Sequence, residues 1–283
     1  MKGFVVYPTY KIIDSKAYVH LYGRLENGES FLTINEFKPY FYIRQKDENK
    51  LKNIDSEINY EIEESKMKNF FDEPTLKIIL TIPNDIPVLR DLFHKEDIPT
   101  YEADIKFVYR YLMDKQITGS LHISGRFEKG DKVDRVYHDP QLKSIEYFPK
   151  LKTMAIDIET SMNMQKLFSI SIGIDDYTKV LIVSKKKLKN AEIFDNEKDM
   201  LIEFKNIIIK QDPDIITGWN VIDFDFKILK QKFDEHGISF VLGRNDQPSR
   251  VMVFDSFLKD SKAYVQGRMI LDGIHLLNAS FIT

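Results

Sequence analysis

The sequence predicts an α/β (α+β) protein in two parts, a β-rich amino-terminal domain over residues 1–148 and a second domain over 149–283 with a central mixed sheet. A length of 283 residues accommodates two domains of ordinary size. Short β-rich stretches and polar turns fill the chain before residue 45, whereas strands and amphipathic helices follow one another after Lys150. The turn-rich stretch Gly119–Lys150 is the expected boundary region.

The amino-terminal elements follow from local composition. Residues 45–75 are highly charged, which predicts a surface loop and irregular helices. Pro87 suits the first turn of a helix over Ile86–His94. Thr100–Met113 is rich in aromatic residues and is expected to be an extended connector. The β-rich stretches are Phe4–Tyr7, Ala17–Tyr22, Ser30–Ile34 and Leu76–Ile82.

The second part has a clearer pattern of strands and helices. A helix is predicted from about Asn196 to Lys210, because its apolar residues recur at spacings of three and four. A second helix is expected to begin near Asp223 and to bury Phe226, Leu229 and Phe233. Three strands with tight connections, then helix, strand and helix, are typical of a ribonuclease H-like fold. The predicted strands are Lys152–Thr160, Leu167–Ile174, Lys179–Val183 and Ile215–Thr217.

Two carboxylates two residues apart, Asp157 and Glu159, project from one face of the first of these strands. Forty-four acidic residues in 283 would produce about seven such pairs by chance. The residues alone therefore leave two alternatives open, a solvated strand face and a site for hard divalent cations. Apolar neighbours such as Ile156 and Ile158 favour a site, because carboxylates among them are costly unless paired or metal-bound. Asp225 is a candidate third carboxylate.

Composition and charge exclude several classes of function. The chain contains no cysteine, so disulfides and thiolate metal sites are excluded and any metal must be held by oxygen or histidine. A net charge of −3 predicts weak non-specific binding to nucleic acid, and it suits either a nuclease that engages a few terminal nucleotides or an enzyme acting on small molecules. No segment has signal-peptide or membrane-spanning character, so we expect a cytoplasmic protein with no membrane partner.

Four stretches resemble the amino-terminal and 3'-5' exonuclease domains of family B DNA polymerases, most closely those of bacterial DNA polymerase II. Thr100–Thr118 is similar to the connector that enters the exonuclease domain. Met154–Thr160 resembles the first exonuclease motif and Asp212–Asp225 the second. Gly267–Ile274 resembles the strand-to-helix step that follows.

The resemblance implies a proofreading site with Mg²⁺ or Mn²⁺, two ions in full-length members of the family. It also implies contacts to the single-stranded 3' end, although the residues alone allow a core role for Phe224 and a turn or capping role for Asn220. The implied metal ligands and catalytic residues are Asp157, Glu159 and Asp225, and the implied nucleic-acid contacts are Thr160, Asn220 and Phe224.

The family's third exonuclease motif, Tyr-x-x-x-Asp, is absent from the second domain, and the match from Tyr10 to Asp14 is expected to be coincidental. We therefore expect a piece of a longer DNA-directed DNA polymerase, with no polymerase activity and little or no exonuclease activity by itself. The implied partners are DNA, both as a single-stranded 3' end and as template strand, the remaining polymerase domains and a sliding clamp.

Two rival functions stay open, a ribonuclease H-like endonuclease and a non-catalytic nucleic-acid-binding module. Other charged groups have simpler interpretations. Asp175 and Asp176 are expected in a hairpin turn, Asp223 is expected to cap the helix that carries Asp225, and Lys185–Lys189 is expected to be a solvated loop. Asp272 and His275 are a candidate pair on one helical face.

Overall fold

The computed structural model describes residues 1–254 and 260–280. Residues 1–148 form two β-sheets with two α-helices and a 3-10 helix, and strands Phe4–Tyr7, Ala17–Tyr22 and Ser30–Ile34 are confirmed within longer strands. In chain order these elements are β1 (Lys2–Ile13), β2 (Lys16–Leu25), β3 (Ser30–Glu36), β4 (Tyr40–Arg44), a 3-10 helix (Gln45–Asn53), β5 (Glu61–Lys68), β6 (Pro74–Ile79), α1 (Asp85–Lys95), β7 (Thr100–Tyr101), α2 (Phe107–Asp114), β8 (Ser120–Ser124), β9 (Arg135–His138) and β10 (Gln141–Ser144).

The two amino-terminal sheets have the orders β10-β8-β1-β2-β3-β9 and β5-β6-β4-β7. Two expectations were wrong in part, although the 3-10 helix confirms an irregular helix within residues 45–75. Residues 45–75 contain the strand β5, whose side chains are nearly all exposed, so it shows no alternation and is held as an edge strand by its backbone pairing with β6. The connector 100–113 contains the helix α2, because Phe107 and Tyr111, four residues apart, are both buried in the core beneath the first sheet.

Residues after 150 form a six-stranded mixed sheet of order β14-β13-β12-β11-β15-β18, packed against α3 and α4. In chain order the elements are β11 (Thr153–Thr160), β12 (Leu167–Ile174), β13 (Tyr177–Val183), β14 (Glu192–Phe194), α3 (Glu197–Gln211), β15 (Ile215–Gly218), a π-helical segment (Val221–Phe226), α4 (Lys227–Glu235), β16 (Arg250–Met252), β17 (Lys262–Tyr264), β18 (Met269–Asp272) and α5 (Gly273–Ser280).

The central position of β11 is what places the candidate site. It pairs antiparallel with β12 and parallel with β15, so the predicted mixed sheet is confirmed. The expected helix over 196–210 is also confirmed, with Asn196 as its cap: the side-chain oxygen accepts a hydrogen bond of 2.9 Å from the amide of Asp199. Phe226, Leu229 and Phe233 are fully buried, as predicted.

No pair of strands in the described ranges crosses the expected boundary at 148/149. The turn at Asp175 and Asp176 is confirmed between β12 and β13. None of the helices in residues 1–254 and 260–280 is long and apolar enough to cross a membrane.

Candidate active site

β11 presents Asp157 and Glu159 together on the exposed face of the sheet. Ile156 and Ile158 alternate with them and are buried on the opposite face, with 3% and 4% of their surface exposed. The predicted strand geometry is confirmed. The expectation that apolar side chains surround the carboxylates was wrong, because neighbouring side chains of a strand point to opposite faces.

An irregularity in strand pairing lies directly beside Glu159. Glu159 is opposite Ser169, but Thr160 is opposite Leu167, so Phe168 bulges out of the register. A bulge bends a strand and changes the direction of nearby side chains. Thr160, an expected nucleic-acid contact, lies at this bend, and its hydroxyl donates a hydrogen bond of 3.2 Å to the carbonyl of Ser161.

The end of β15 approaches β11 unusually closely. A Cβ atom at Gly218 would lie 2.6 Å from the carbonyl oxygen of Ile156, a distance that side chains do not tolerate. Two residues later Asn220 adopts a left-handed conformation, with φ of 56°, and its carbonyl accepts the amide of Phe224 at 3.0 Å. The Asn220 side chain makes no capping hydrogen bond, so the capping alternative for that side chain was wrong.

Asp225 follows in the π-helical segment and is buried, with 2% of its surface exposed. Among the residues that the structure describes, none donates a hydrogen bond to its Oδ1 atom. Burial raises the pKa of Asp225 to about 7, the charge of Asp157 adds to this rise, and the backbone amides of Asp225 and Ile158 oppose it. The structure therefore brings Asp157 and Asp225 close enough to repel each other.

Asp272 anchors the segment that carries Asp225. One carboxylate oxygen accepts the amide of Ile222 and the other accepts the amide of Ile274, both at 2.9 Å. The expected pair of Asp272 with His275 was wrong, because backbone amides occupy both Asp272 oxygens. His275 instead lies 3.7 Å from Asp223, whose predicted capping role was also wrong because Asp223 lies inside the π-helical segment.

Two aromatic residues, Trp219 and Phe224, directly precede Asn220 and Asp225, and they differ in exposure. Phe224 is half-buried and packs against the core of the sheet, so it keeps one part in the core and one part accessible. Trp219 is 65% exposed. Trp219 has no predicted role, although a lone tryptophan next to a candidate site residue is a usable signal.

The donor set suits a hard cation, but it does not form a complete metal centre. Within the described ranges, no three His, Cys, Asp or Glu side chains form a group that could hold a metal ion. Asp157 and Asp225 nevertheless meet the chemical requirement, since they are neighbouring carboxylates and no described residue pairs with the buried Oδ1 atom of Asp225. The role of Glu159 as a third ligand stays a prediction.

Comparison with known proteins identifies the fold and the family. Residues 98–282 match the family model for the exonuclease domain of DNA polymerase family B. The chain belongs to the family B DNA polymerases. Exonuclease domains of this family typically use divalent metal ions. The match covers every candidate site residue on β11, β15 and the π-helical segment.

Relatives within the family B polymerases extend the similarity over nearly the whole chain. A DNA polymerase of Thermococcus sp. is 28% identical over 92% of the chain, and one of Methanocaldococcus jannaschii is 30% identical over 93%. The family B DNA polymerase of Pyrobaculum calidifontis has the same fold, with a TM-score of 0.76 and 20% identity over 98% of the chain. The chain spans 15%, 16% and 37% of these three proteins.

Proposed function

We propose that this chain carries the proofreading 3'-5' exonuclease site of a DNA-directed DNA polymerase, together with an amino-terminal domain over 1–148 that contacts template DNA. The observation that carries the proposal is the buried Asp225 carboxylate beside Asp157, which has one oxygen that no described residue pairs with and lies in a stretch that matches the family's exonuclease domain. The bacterial polymerase II-like subtype stays a prediction, because the relatives compared above are archaeal.

Asp157, Glu159 and Asp225 would hold the divalent cations. When bound, two such ions would activate a water molecule and stabilise the charge on the phosphate that is cleaved. The exposed face of β11 lets a DNA backbone approach Asp157 and Glu159, whereas Asp225 closes the site from the buried side. The reaction would release the 3'-terminal nucleotide of single-stranded DNA.

The substrate's unpaired 3' end requires contacts that tolerate any base. Aromatic rings offer such contacts, since every base has a stacking face. Phe224 and the exposed Trp219 are close to Asn220 in the sequence, and the side-chain amide of Asn220 has both donor and acceptor groups for a phosphate or carboxylate. Thr160 lies at the end of β11 that carries Glu159.

A cleft of about 640 Å³, lined by residues of the amino-terminal region and by Tyr264 of β17, supports the template-contacting role. Arg90, Lys106 and Tyr109 are among its lining residues, and Tyr109 is 52% exposed. Cationic side chains attract the phosphates of a single strand, and exposed rings stack on its bases.

Titration calorimetry with Mn²⁺ tests the carboxylate site. We expect the wild type to bind Mn²⁺ and Asp225→Ala to lose that binding. Asp176→Asn is the matched control, because Asp176 is an exposed carboxylate in the turn between two strands of the same sheet. Equal binding by the wild type and Asp225→Ala would contradict the proposal.

Incubation of the chain with a 3'-labelled single-stranded oligonucleotide and Mn²⁺ separates the rival functions. Slow removal of single nucleotides, abolished in Asp157→Ala, supports the exonuclease. Internal cleavage of an RNA–DNA duplex would support the ribonuclease H-like endonuclease instead. Metal binding with no turnover on either substrate would favour the non-catalytic module for the chain by itself.

A further inference from the structure

Lys232 is a lysine buried inside the second domain, with 2% of its surface exposed. It lies on α4 among the buried apolar residues Ile228, Leu229 and Phe233. Its ammonium donates hydrogen bonds to the carbonyl of Gln165 and, at 2.8 Å, to Glu235. Burying an ammonium group is costly unless it is paired, so this side chain has a defined structural task.

The two ends of this contact belong to the two halves of the candidate site. Gln165 lies in the loop 161–166, which follows Glu159 and Thr160 on β11. α4 follows directly from the π-helical segment that carries Asp225. Lys232 is therefore a side-chain link between the elements that supply the candidate ligands.

Glu197 at the start of α3 reinforces the same link. One of its oxygens accepts the amide of Leu167 at 3.0 Å, immediately after the loop. The other lies 3.1 Å from the ring of His236 and 3.8 Å from the ammonium of Lys232. Besides the loop's own hydrogen bonds between Ser161 and Lys166, two groups from outside the loop hold its carboxyl end, and of these two Lys232 alone lies on the helix that begins after Asp225.

We propose that Lys232 is a positioning residue of the exonuclease site, which holds the β11 carboxylates at the correct separation from Asp225. The inference rests on the proposed function, because it assumes that these carboxylates bind divalent cations. Groups that orient metal ligands without touching the metal typically affect metal affinity by about ten- to one-hundred-fold.

Replacement of Lys232 by methionine removes the charge and the hydrogen bonds but keeps most of the apolar stem. We expect Lys232→Met to bind Mn²⁺ at least about ten-fold more weakly than the wild type, measured by calorimetry below the onset of unfolding. Lys232→Arg keeps the charge and should recover part of the affinity. The matched control is Lys230→Met on the same helix, since among the described residues Lys230 pairs with Asp234 at the surface, and the Mn²⁺ affinity of this variant should stay within about two-fold of the wild-type value.

Hydrogen exchange in the absence of metal tests the link without relying on the proposed function. Backbone amides in residues 161–167 should exchange faster in Lys232→Met than in the wild type or in Lys230→Met. Should the methionine variant fail to fold, Lys232→Gln takes its place, since its amide is polar but one atom shorter, and the same changes are expected.

Three results overturn the inference in distinguishable ways. Unchanged exchange in residues 161–167 would show that Lys232 does not hold the loop. Wild-type Mn²⁺ affinity in a folded Lys232→Met variant would show that the link is structural and does not position ligands. Absence of carboxylate-dependent Mn²⁺ binding in the wild type itself would overturn the proposed function, and the positioning role with it.

Discussion

Asp225 is the residue at which stability and proposed function conflict. Its carboxylate is buried, has an oxygen that no described residue pairs with, and faces the charge of Asp157. A protein that gains nothing else from this arrangement would place a neutral side chain there. The unfavourable burial and repulsion of these charges are relieved if a cation lies between the carboxylates, because the same desolvated oxygens then become ligands.

Replacing Asp225 by asparagine should stabilise the metal-free protein at neutral and alkaline pH. The folded pKa of about 7 exceeds the ordinary value of 3.8, so the folded state holds the proton more tightly than the unfolded state. The group's favourable contribution is complete below pH 3.8 and is lost as pH rises towards 7. At pH 8 the charged form costs on the order of 4 kcal/mol, which Asp225→Asn removes.

Urea unfolding of both proteins in a chelator, between pH 4 and pH 8, measures this difference. We expect similar free energies of unfolding at pH 4 and a growing advantage for Asp225→Asn as pH rises. Excess Mn²⁺ should reverse the order at pH 8, since only the wild type gains from binding. A difference that does not depend on pH would contradict the assigned cause.

At the scale of secondary-structure elements, the candidate site depends on the close approach of β15 to β11. A methyl group at Gly218 would meet the carbonyl oxygen of Ile156 at 2.6 Å and the Val221 side chain at 3.1 Å. Because the first obstacle is backbone, Gly218→Ala must push the strands apart at the point where the π-helical segment begins. We expect a loss of about 1–3 kcal/mol in the free energy of unfolding, with weaker Mn²⁺ binding.

Gly173→Ala is the matched control for that substitution. Gly173 lies in the same sheet, opposite Ala155, and an added methyl group would meet nothing within 4 Å. Its free energy of unfolding and Mn²⁺ affinity should stay close to the wild-type values in the same calorimetric and denaturation measurements. If both glycine variants lose stability equally, close packing of β15 against β11 is not the cause.

Sequence patterns predicted the elements whose buried and exposed side chains follow a regular period. They missed the elements that are held in place by residues distant in the sequence. β11, β12 and α3 follow from alternation or from a spacing of three and four. The edge strand β5 has almost no buried face, so its sequence has no period to detect. The π-helical segment is anchored by Asp272, 50 residues beyond the amide that it accepts, and no local pattern contains that contact.

The candidate site shows the same limit. The carboxylates Asp157, Glu159 and Asp225 are visible in the sequence as motifs, but the burial of Asp225, and the lack of a described partner for its Oδ1 atom, depend on the fold. Lys232 had a signal, since a lysine within the apolar stripe of an amphipathic helix must be paired inside the protein. Its contact with the loop could not be predicted, because Gln165 contributes only a backbone carbonyl.

At the scale of the whole molecule, a buried cluster of charges joins the amino-terminal region to the exonuclease domain. Arg24 of β2 pairs with Asp212 at 3.0 Å and Asp214 at 2.9 Å, which lie between α3 and β15. Arg244 pairs with both aspartates, and Arg268 pairs with Asp212. Asp214 also accepts the amide of Lys152 at 2.9 Å, next to β11.

This cluster contains three guanidinium groups but only two carboxylates, so its charges are not balanced. The three arginines lower the pKa of Asp212 well below its ordinary range, although burial opposes them. Burial and the neighbouring charge of Arg244 lower the pKa of Arg268. Loss of a carboxylate should therefore lower the free energy of unfolding more than loss of an arginine.

We accordingly expect Asp214→Asn to destabilise the protein more than Arg24→Met. Asp214 is fully buried, and its neutral variant leaves three guanidinium groups around one carboxylate. This should lower the free energy of unfolding by about 3–5 kcal/mol. Arg24→Met leaves two guanidinium groups with two carboxylates and should lower the free energy of unfolding by about 1–3 kcal/mol, chiefly because hydrogen-bond acceptors lose their donor. Because Arg24 is the member from the amino-terminal region, its removal should also split urea unfolding into two transitions. Arg90→Met breaks a surface pair with Asp91 and should change neither the free energy of unfolding nor the number of unfolding transitions. A smaller loss of stability in Asp214→Asn than in Arg24→Met would contradict the charge argument.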